Sequence, residues 1–339
     1  MESSGARILI TGTDAVSRFG RGADALWRGV TEQPHAARPE PTPRDAKAST
    51  ERTASLAADA AAQAMEDAAL FSSGAAAVCF ASELLTEDAA RDAAAGVGRA
   101  SGTSRVFVFS GEAAGRRALA AAIDLLRRGE AGSVIAVGAD VPGSGAAPAG
   151  VRVSSAAARP FEYRRDGVVP AEGAAALVLE DEEQARQRGA RVRAAILGAA
   201  SAPGRGIAAA LTSALIEAHL APPDISWVCT AAAGDPDLDI VEEEDIARVW
   251  APEYQSIPIS SVHGALGYTF AGAPFLGVVA ATRALAAGQI PPTAGYNRPN
   301  AAFADIDVVC AIPRNARLAR VIVDAIDNGG CLSLVLQRG

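Results

Sequence analysis

Short apolar runs alternate with longer alanine-rich stretches along the chain, and that alternation predicts strands and helices in turn. In the first half the runs Ile8–Thr11, Ala76–Ala81, Val106–Phe109, Val134–Val137 and Ala174–Leu179 are nearly unbroken by polar residues. Such runs predict strands buried on both faces rather than strands with one wet side. Ala54–Ala69 and Ala113–Arg128 carry the helical period, and the second stops at Gly129, a residue suited to the left-handed turn that ends a helix. The charged stretch Glu180–Arg191 separates this series from a second one. There, strands are expected at Val192–Leu197, Trp227–Thr230, Ile257–Ile259, Val308–Ala311, Val321–Asp324 and Leu332–Leu336, and helices near Ile207–His219, Val241–Val249 and Ala273–Ala287. Both series run in a similar element order without an evident sequence repeat. The pattern predicts an α/β fold with buried sheet, duplicated as halves 1–185 and 186–339 of one compact unit, with two independent domains as the alternative. Pro34–Pro43 and Val141–Ala158 read as loops, the second a candidate cover for a site.

Composition narrows the class. Alanine dominates the 50% apolar content and aromatics make up only 5%, which suits helices packed closely on a sheet and excludes a disordered chain. At 339 residues the chain can bury a large core. A net charge of −8 argues against nucleic acid or an anionic membrane as the main partner. The most apolar stretch, Phe275–Gly288, is interrupted by Arg283 and falls short of the roughly 20 residues of a spanning helix. Met1–Arg7 lacks the apolar core of a signal peptide. Cys79, Cys229, Cys310 and Cys331 are widely separated, and His35, His219 and His263 are scattered, so neither a disulfide framework nor a metal site is expected. The expectation is a cytoplasmic protein with reduced, buried thiols and no cofactor.

Three segments carry a family resemblance. The first is Arg7-Ile-Leu-Ile-Thr-Gly-Thr-Asp-Ala-Val-Ser-Arg-Phe-Gly20. The second is Arg159-Pro-Phe-Glu-Tyr-Arg-Arg-Asp-Gly167 with Ala171-Glu-Gly173, Ala176-Leu-Val-Leu-Glu180 and the following Ala185–Gly198. The third runs from Gly267 to Pro299 and contains Gln289-Ile-Pro-Pro-Thr293. Together they resemble the β-ketoacyl synthases of the thiolase-fold superfamily, the condensing enzymes of fatty-acid and polyketide assembly. The resemblance implies a thiolase-like α-β-α-β-α layered fold and a dimer in which the strand at Arg105–Ser110 pairs across a two-fold axis. It is weakest over Ser82–Arg105, where longer members carry an insertion. Read as residues alone, Glu162, Arg165, Asp166 and Glu172 form a charged turn expected to close into a partly buried ion-pair network.

Condensation requires a thiolate at a helix N-terminus to carry the acyl chain, and basic groups to stabilise the enolate and oxyanion as carbon dioxide leaves. Registering the helix that ends at Leu126-Arg-Arg-Gly129 puts Glu112, within Phe109-Ser-Gly-Glu-Ala-Ala-Gly115, at the family's cysteine. The first histidine position is Ala231, although Pro236, Asp239 and Glu242 keep the motif's spacing. In His263-Gly-Ala-Leu-Gly-Tyr268, His263 stands at the lysine position and Tyr268 at the second histidine. The glycine-rich gate reads Ile326-Asp-Asn-Gly-Gly330 without its phenylalanine. No catalytic set is intact. Glu112, Arg116 and Asn328 become acyl-pocket candidates, with an internal Glu112–Arg116 pair expected to plug the pocket.

The resemblance therefore implies a catalytically inactive, shortened relative of the chain-length factors, the β subunits of type II polyketide synthases. As such it would pair with an active ketosynthase and shape its acyl tunnel, meeting the acyl carrier protein mainly through that partner. Two other readings stay open. One is a repurposed enzyme (isomerase, cyclase, acyltransferase or decarboxylase) using Glu112 as base with Tyr268 or His263 as proton donor. The other is a homodimeric acyl-binding scaffold.

Overall fold

The computed structural model describes residues 7–32, 34–40, 45–70, 75–143, 145–250, 257–297 and 306–339, so the Pro34–Pro43 loop lies partly outside it. The first half runs β1 (Ile8–Ser17), β2 (Gly20–Arg21), α1 (Ala23–Glu32), α2 (Ala46–Asp67), β3 (Ala77–Ser82), α3 (Glu87–Ala100), β4 (Val106–Ser110), α4 (Ala114–Arg127), β5 (Ser133–Asp140), β6 (Gly173–Asp181) and α5 (Glu182–Gln187). The second runs β7 (Ala194–Pro203), α6 (Ala208–Glu217), β8 (Val228–Cys229), α7 (Pro236–Trp250), β9 (Pro258–Ser260), α8 (His263–Leu266), α9 (Ala273–Ala287), β10 (Gln289–Ile290), β11 (Asp307–Val308), β12 (Arg314–Asn315), β13 (Arg320–Asp327) and β14 (Gly330–Arg338).

Hydrogen-bonded neighbours follow the order β11-β9-β8-β13-β14-β7-β1-β6-β5-β3-β4. The sequence β4-β3-β5-β6-β1 in one half is matched by β9-β8-β13-β14-β7 in the other. Directions match as well. β3 is parallel to β4 and β5, β8 is parallel to β9 and β13, and the two remaining pairings on each side are antiparallel. The halves join where β1 and β7 run antiparallel over Ile8–Ile10. This repeated mixed topology is the duplicated α/β arrangement expected from the sequence.

Alanine content explains the layering. Ala118, Leu119 and Ile123 of α4 meet Phe275, Val279 and Ala280 of α9 in a core that also takes one face of both sets of strands. A Cβ at Gly138 would come within 2.1 Å of the Ala271 carbonyl, and one at Gly115 within 2.4 Å of the same oxygen. Only small residues let α4, β5 and the start of α9 approach so closely. Outside, α2 and α3 cover one set of strands and α6 and α7 the other, each with its own apolar cluster. Phe270–Ala287 is, contrary to the sequence expectation, long and apolar enough to cross a membrane (mean hydropathy 1.5), but 78% of it is buried in this central layer. It is a core helix. Of the thiols, Cys79, Cys229 and Cys331 are buried as expected, whereas Cys310 is exposed.

Candidate functional site

The carboxyl ends of parallel strands β3, β5, β8 and β13 converge at one end of the fold, where open α/β sheets form their binding crevices. A chamber there is lined by Glu83 after β3, Arg116 in the first turn of α4, Ala231 after β8, His263 and Tyr268 around α8, and Asp324 and Asp327 of β13. It encloses about 20 Å³.

Local backbone places these groups. Between β4 and α4 the chain turns through Gly111 (φ 73°) and Ala113 (φ 63°), both left-handed, the second unusual for a side chain with a Cβ. Glu112 lies between them and points to solvent. Gly267 (φ 81°) sits so close to the Val169 carbonyl that a Cβ would approach it to 2.8 Å, and this turn delivers Tyr268 beside Pro170. The tyrosine ring stands edge-on to Phe270, with centroids 5.3 Å apart.

Buried carboxylates hold the strand ends together. Asp140 accepts hydrogen bonds from Ser82 Oγ (2.5 Å), Glu83 N–H (2.9 Å), Leu84 N–H (3.1 Å) and Ala271 N–H (3.0 Å), fixing β3, β5 and the approach to α9 around one carboxyl. Asp239 accepts from Phe161 N–H (2.9 Å), Ala233 N–H (3.2 Å) and Gly234 N–H (3.2 Å). It thereby ties the strained turn at Phe161 (φ 61°) to the loop that carries Ala231. Glu242 accepts from Ala231 N–H at 2.7 Å. The retained spacing of Asp239 and Glu242 thus has a structural cause: the two acids shape the loop after β8 whether or not it bears a histidine. Asp239→Ala is expected to cost about 3 kcal/mol or more, because three amides lose their acceptor. Urea unfolding measures this, and a loss under 1 kcal/mol would contradict the assigned role.

The chamber's electrostatics are acidic. Burial pushes Glu83 up to about 8, with further contributions from Asp140, Asp327 and Glu112. Burial likewise raises Asp324 to about 7 and Asp140 to about 6. Glu242 is raised by burial and then by its neighbour Asp324. His263 is lowered to about 4 by burial, so its imidazole is neutral at pH 7. Tyr268 is pushed up by burial and the surrounding carboxylates. A developing enolate needs positive charge or hydrogen-bond donors around it. Here Ala231 offers no side-chain donor, and a ring of carboxyl groups disfavours a further anion.

Several sequence expectations are corrected. Arg116 does not pair with Glu112: it makes a bidentate contact with Asp327, Nε to Oδ2 at 2.6 Å and Nη2 to Oδ1 at 3.2 Å. The two side chains are only 13% and 11% exposed. The glycine at 330 permits this, since a Cβ there would lie 3.2 Å from the guanidinium carbon. Arg116 therefore bolts α4 to the glycine-rich turn after β13. Arg116→Ala is expected to lower stability by about 3 kcal/mol by leaving Asp327 unpaired in a nearly dry site, as read from urea midpoints. Asn328 points away from the chamber and bonds the Ala149 carbonyl and Arg205. It pins part of the Val141–Ala158 loop, whose Val151 borders a neighbouring small cavity shared with Ala231 and Tyr268.

The expected four-membered ion-pair network does not form either. Glu172 turns to Arg52, accepting at 2.7 and 2.5 Å. Asp166 is exposed. Glu162 accepts from Arg164 N–H at 2.5 Å, while the charge of buried Arg165 offsets only part of the burial that raises Asp239 and Glu243. Glu83, Asp140, Asp324 and Asp327 were not singled out in the sequence. An aspartate closing an otherwise apolar strand, as in Gly138-Ala-Asp140, is the signal available for one of them.

Residues 100–185 match the β-ketoacyl synthase N-terminal domain, and residues 187–297 match the β-ketoacyl synthase C-terminal domain. The chain belongs to the β-ketoacyl synthase family. Among its relatives, the oxytetracycline polyketide putative β-ketoacyl synthase 1 of Streptomyces rimosus is 33% identical over 53% of this chain and 45% of its own length. The ketoacyl synthase β subunit of the tetracenomycin polyketide synthase of Streptomyces glaucescens is 37% identical over 53% of this chain and 45% of its own. These alignments thus span about half the length of the relatives they match. The solved ishigamide ketosynthase/chain length factor superposes with a TM-score of 0.83 at 22% identity, covering 99% of this chain and 100% of that one, a likeness of fold. Within the family, Glu112, Ala231, His263 and Tyr268 are the positions to weigh for chemistry, and only the last three border the chamber.

Proposed function

We propose that this protein is a non-condensing ketosynthase-like subunit, a chain-length factor that pairs with an active ketosynthase and bounds the tunnel in which a polyketide or related acyl chain grows. The reading rests on one observation: the chamber, rich in carboxyl groups and closed by Arg116–Asp327, is bordered by Ala231 and Tyr268, the positions to which the family resemblance assigns the two histidines. Among the described residues such a chamber is lined by no thiol nucleophile, and it leaves decarboxylation with the Tyr268 hydroxyl in place of a pair of histidine donors. The tetracenomycin relative is itself named a β subunit, and the ishigamide structure is named as a ketosynthase with a chain length factor. The overall acidity supports carrier-protein docking through the partner, and a cytoplasmic setting fits the same reading.

Pairing is assigned to the free edge of the sheet at β4, where Phe107 and Phe109 are only half covered beside an open groove of about 810 Å³. The exposure of Glu112 weighs against its use as a general base in a repurposed enzyme. The test is co-expression with an active ketosynthase of the same gene neighbourhood, native mass measurement of the complex, and product profiling with and without this subunit. A one-to-one complex whose product length changes when this subunit is omitted is expected. Malonyl-dependent elongation by the purified chain alone would overturn the proposal.

A further inference from the structure

Both ends of the Asn328 amide are engaged, and each holds a different loop. Nδ2 donates to the Ala149 carbonyl, and Oδ1 accepts from the Arg205 guanidinium. Ala149 precedes Gly150 and Val151 in the connection between β5 and β6. Arg205 lies between Gly204 (φ 77°) and Gly206 in the connection between β7 and α6. Glycine makes the seat: a Cβ at Gly150 (φ 62°) would fall 2.5 Å from Asn328 Nδ2. The turn that carries Asn328 is itself braced. Gly329 N–H (2.8 Å) and Gly330 N–H (2.9 Å) donate to Asp327 Oδ1, on the carboxyl already held by Arg116.

These contacts surround the mouth of the chamber. Ile326, two residues before Asn328, borders both the chamber and the neighbouring cavity, as do Ala231 and Tyr268, and Val151 borders the second. Ala231 and Tyr268 are half-covered, so solvent reaches them. Each space is nevertheless only about 20 Å³, room for one water. A pocket that takes an organic ligand needs roughly 300–1,000 Å³. On the far side, fully buried Cys331 donates its S–H toward the Gly206 carbonyl at 3.3 Å, so the Gly204–Gly206 loop covers that thiol.

We infer that Asn328 is a latch: by tying the turn after β13 to the loops at Ala149–Val151 and Gly204–Gly206, it keeps the chamber too narrow for an acyl thioester. Releasing the amide frees Val151 and Ile326 to move apart and joins the two cavities into one. The device governs access to the chamber and is independent of pairing with a ketosynthase.

The chain's own thiols supply the controls. In the full chain carrying Ala231→Cys, alkylation by iodoacetamide and by a bulky fluorescein maleimide is followed at each cysteine by peptide mass spectrometry. Exposed Cys310 gives the reference rate for each reagent, and buried Cys79 and Cys229 check the fold. With Asn328 in place, position 231 is expected to react with iodoacetamide but, relative to Cys310, at least tenfold more slowly with the maleimide. Asn328→Ala breaks two hydrogen bonds, one of them to a charged group, and should remove most of that size discrimination while raising Cys331 alkylation about tenfold. Asn328→Asp keeps an acceptor for Arg205 and loses the donor to Ala149, so it should widen the mouth and leave Cys331 protected. Unchanged discrimination in Asn328→Ala, with Cys79 and Cys229 still protected, would overturn the latch. So would a maleimide rate at position 231 equal to that of Cys310 while Asn328 is present. If Asn328→Ala exposes Cys79 and Cys229, the same comparison in Asn328→Asp decides.

Discussion

Proline at Val108 is expected to convert a two-subunit assembly into single chains. β4 is an edge strand, bonded to β3 on one side only, with Phe80 opposite Val108. All five of its residues are half-covered, a state that fits neither core nor ordinary surface for a strand reading Val-Phe-Val-Phe-Ser. An exposed, apolar edge of this kind invites another strand. Its apolar side chains face both ways, Phe107 and Phe109 toward the central layer and Val106 and Val108 toward the α3 side, so an added strand would continue both layers. Proline removes a backbone donor and places its ring against the incoming strand. Dissociation should strengthen at least a hundredfold, equivalent to about 2.7 kcal/mol, and light scattering at micromolar concentration would register single chains. Val108→Ala keeps the donor and should keep the assembly, while circular dichroism of both variants reports whether the fold itself survives. An intact complex in the proline variant would remove β4 from the interface.

Much of the fold was legible because its strands are short, apolar and regularly spaced. β3, β4, β5 and β6 fall where the apolar runs lie, and α4 ends at the glycine that its C-terminus requires, Gly129 with φ 65°. The misses share a cause. α1 and α3 contain Gly29, Gly96 and Gly98 among alanines, and alanine, at home on either face of a helix, blurs the period that marks one. The strand expected at Val321–Asp324 continues to Asp327, since Asp324 is buried in the sheet by its bond to Ser333 rather than marking an end. Trp227–Thr230 and Val308–Ala311 shrink to two-residue strands, the latter interrupted before Ala311 turns left-handed.

At the site, motif spacing pointed to Ala231, His263 and Tyr268, and all three border the chamber. It was silent on partners. Arg116 lies four residues from Glu112 and 211 from Asp327, and helical spacing favoured the near acid. The fold chose the far one because β13 ends directly beside the first turn of α4. No periodicity in sequence reports that two strand ends meet, so Glu83 and Asp324 became visible only once the strands were assembled.

Those carboxyl groups give the protein an unusual dependence on pH. Asp140, Asp239, Asp324, Glu83 and Glu243 all hold protons more tightly in the fold than the ordinary values of 3.8 and 4.5, chiefly through burial, at about 6, 7, 7, 8 and 8. Glu242 shifts in the same direction through burial and Asp324. Between pH 5 and pH 8 the folded chain therefore binds more protons than the unfolded chain, and stability falls as pH rises, by up to about 1.4 kcal/mol per pH unit for each group not yet ionised. His263, lowered to about 4, acts in the opposite sense: its neutral form favours the fold, and that contribution is lost as pH falls from 6.5 toward 4. One imidazole does not offset several carboxyls, so the urea midpoint is expected to decline from pH 5 to pH 8. Glu242→Gln keeps an acceptor for Ala231 N–H, removes one member of the pair with Asp324, and supplies an amide donor toward it. The variant should be more stable than the parent at pH 8 and show a shallower decline. A midpoint that rises steadily over this interval, or an unchanged slope in Glu242→Gln, would mean that these acids are not held as buried, proton-bearing groups.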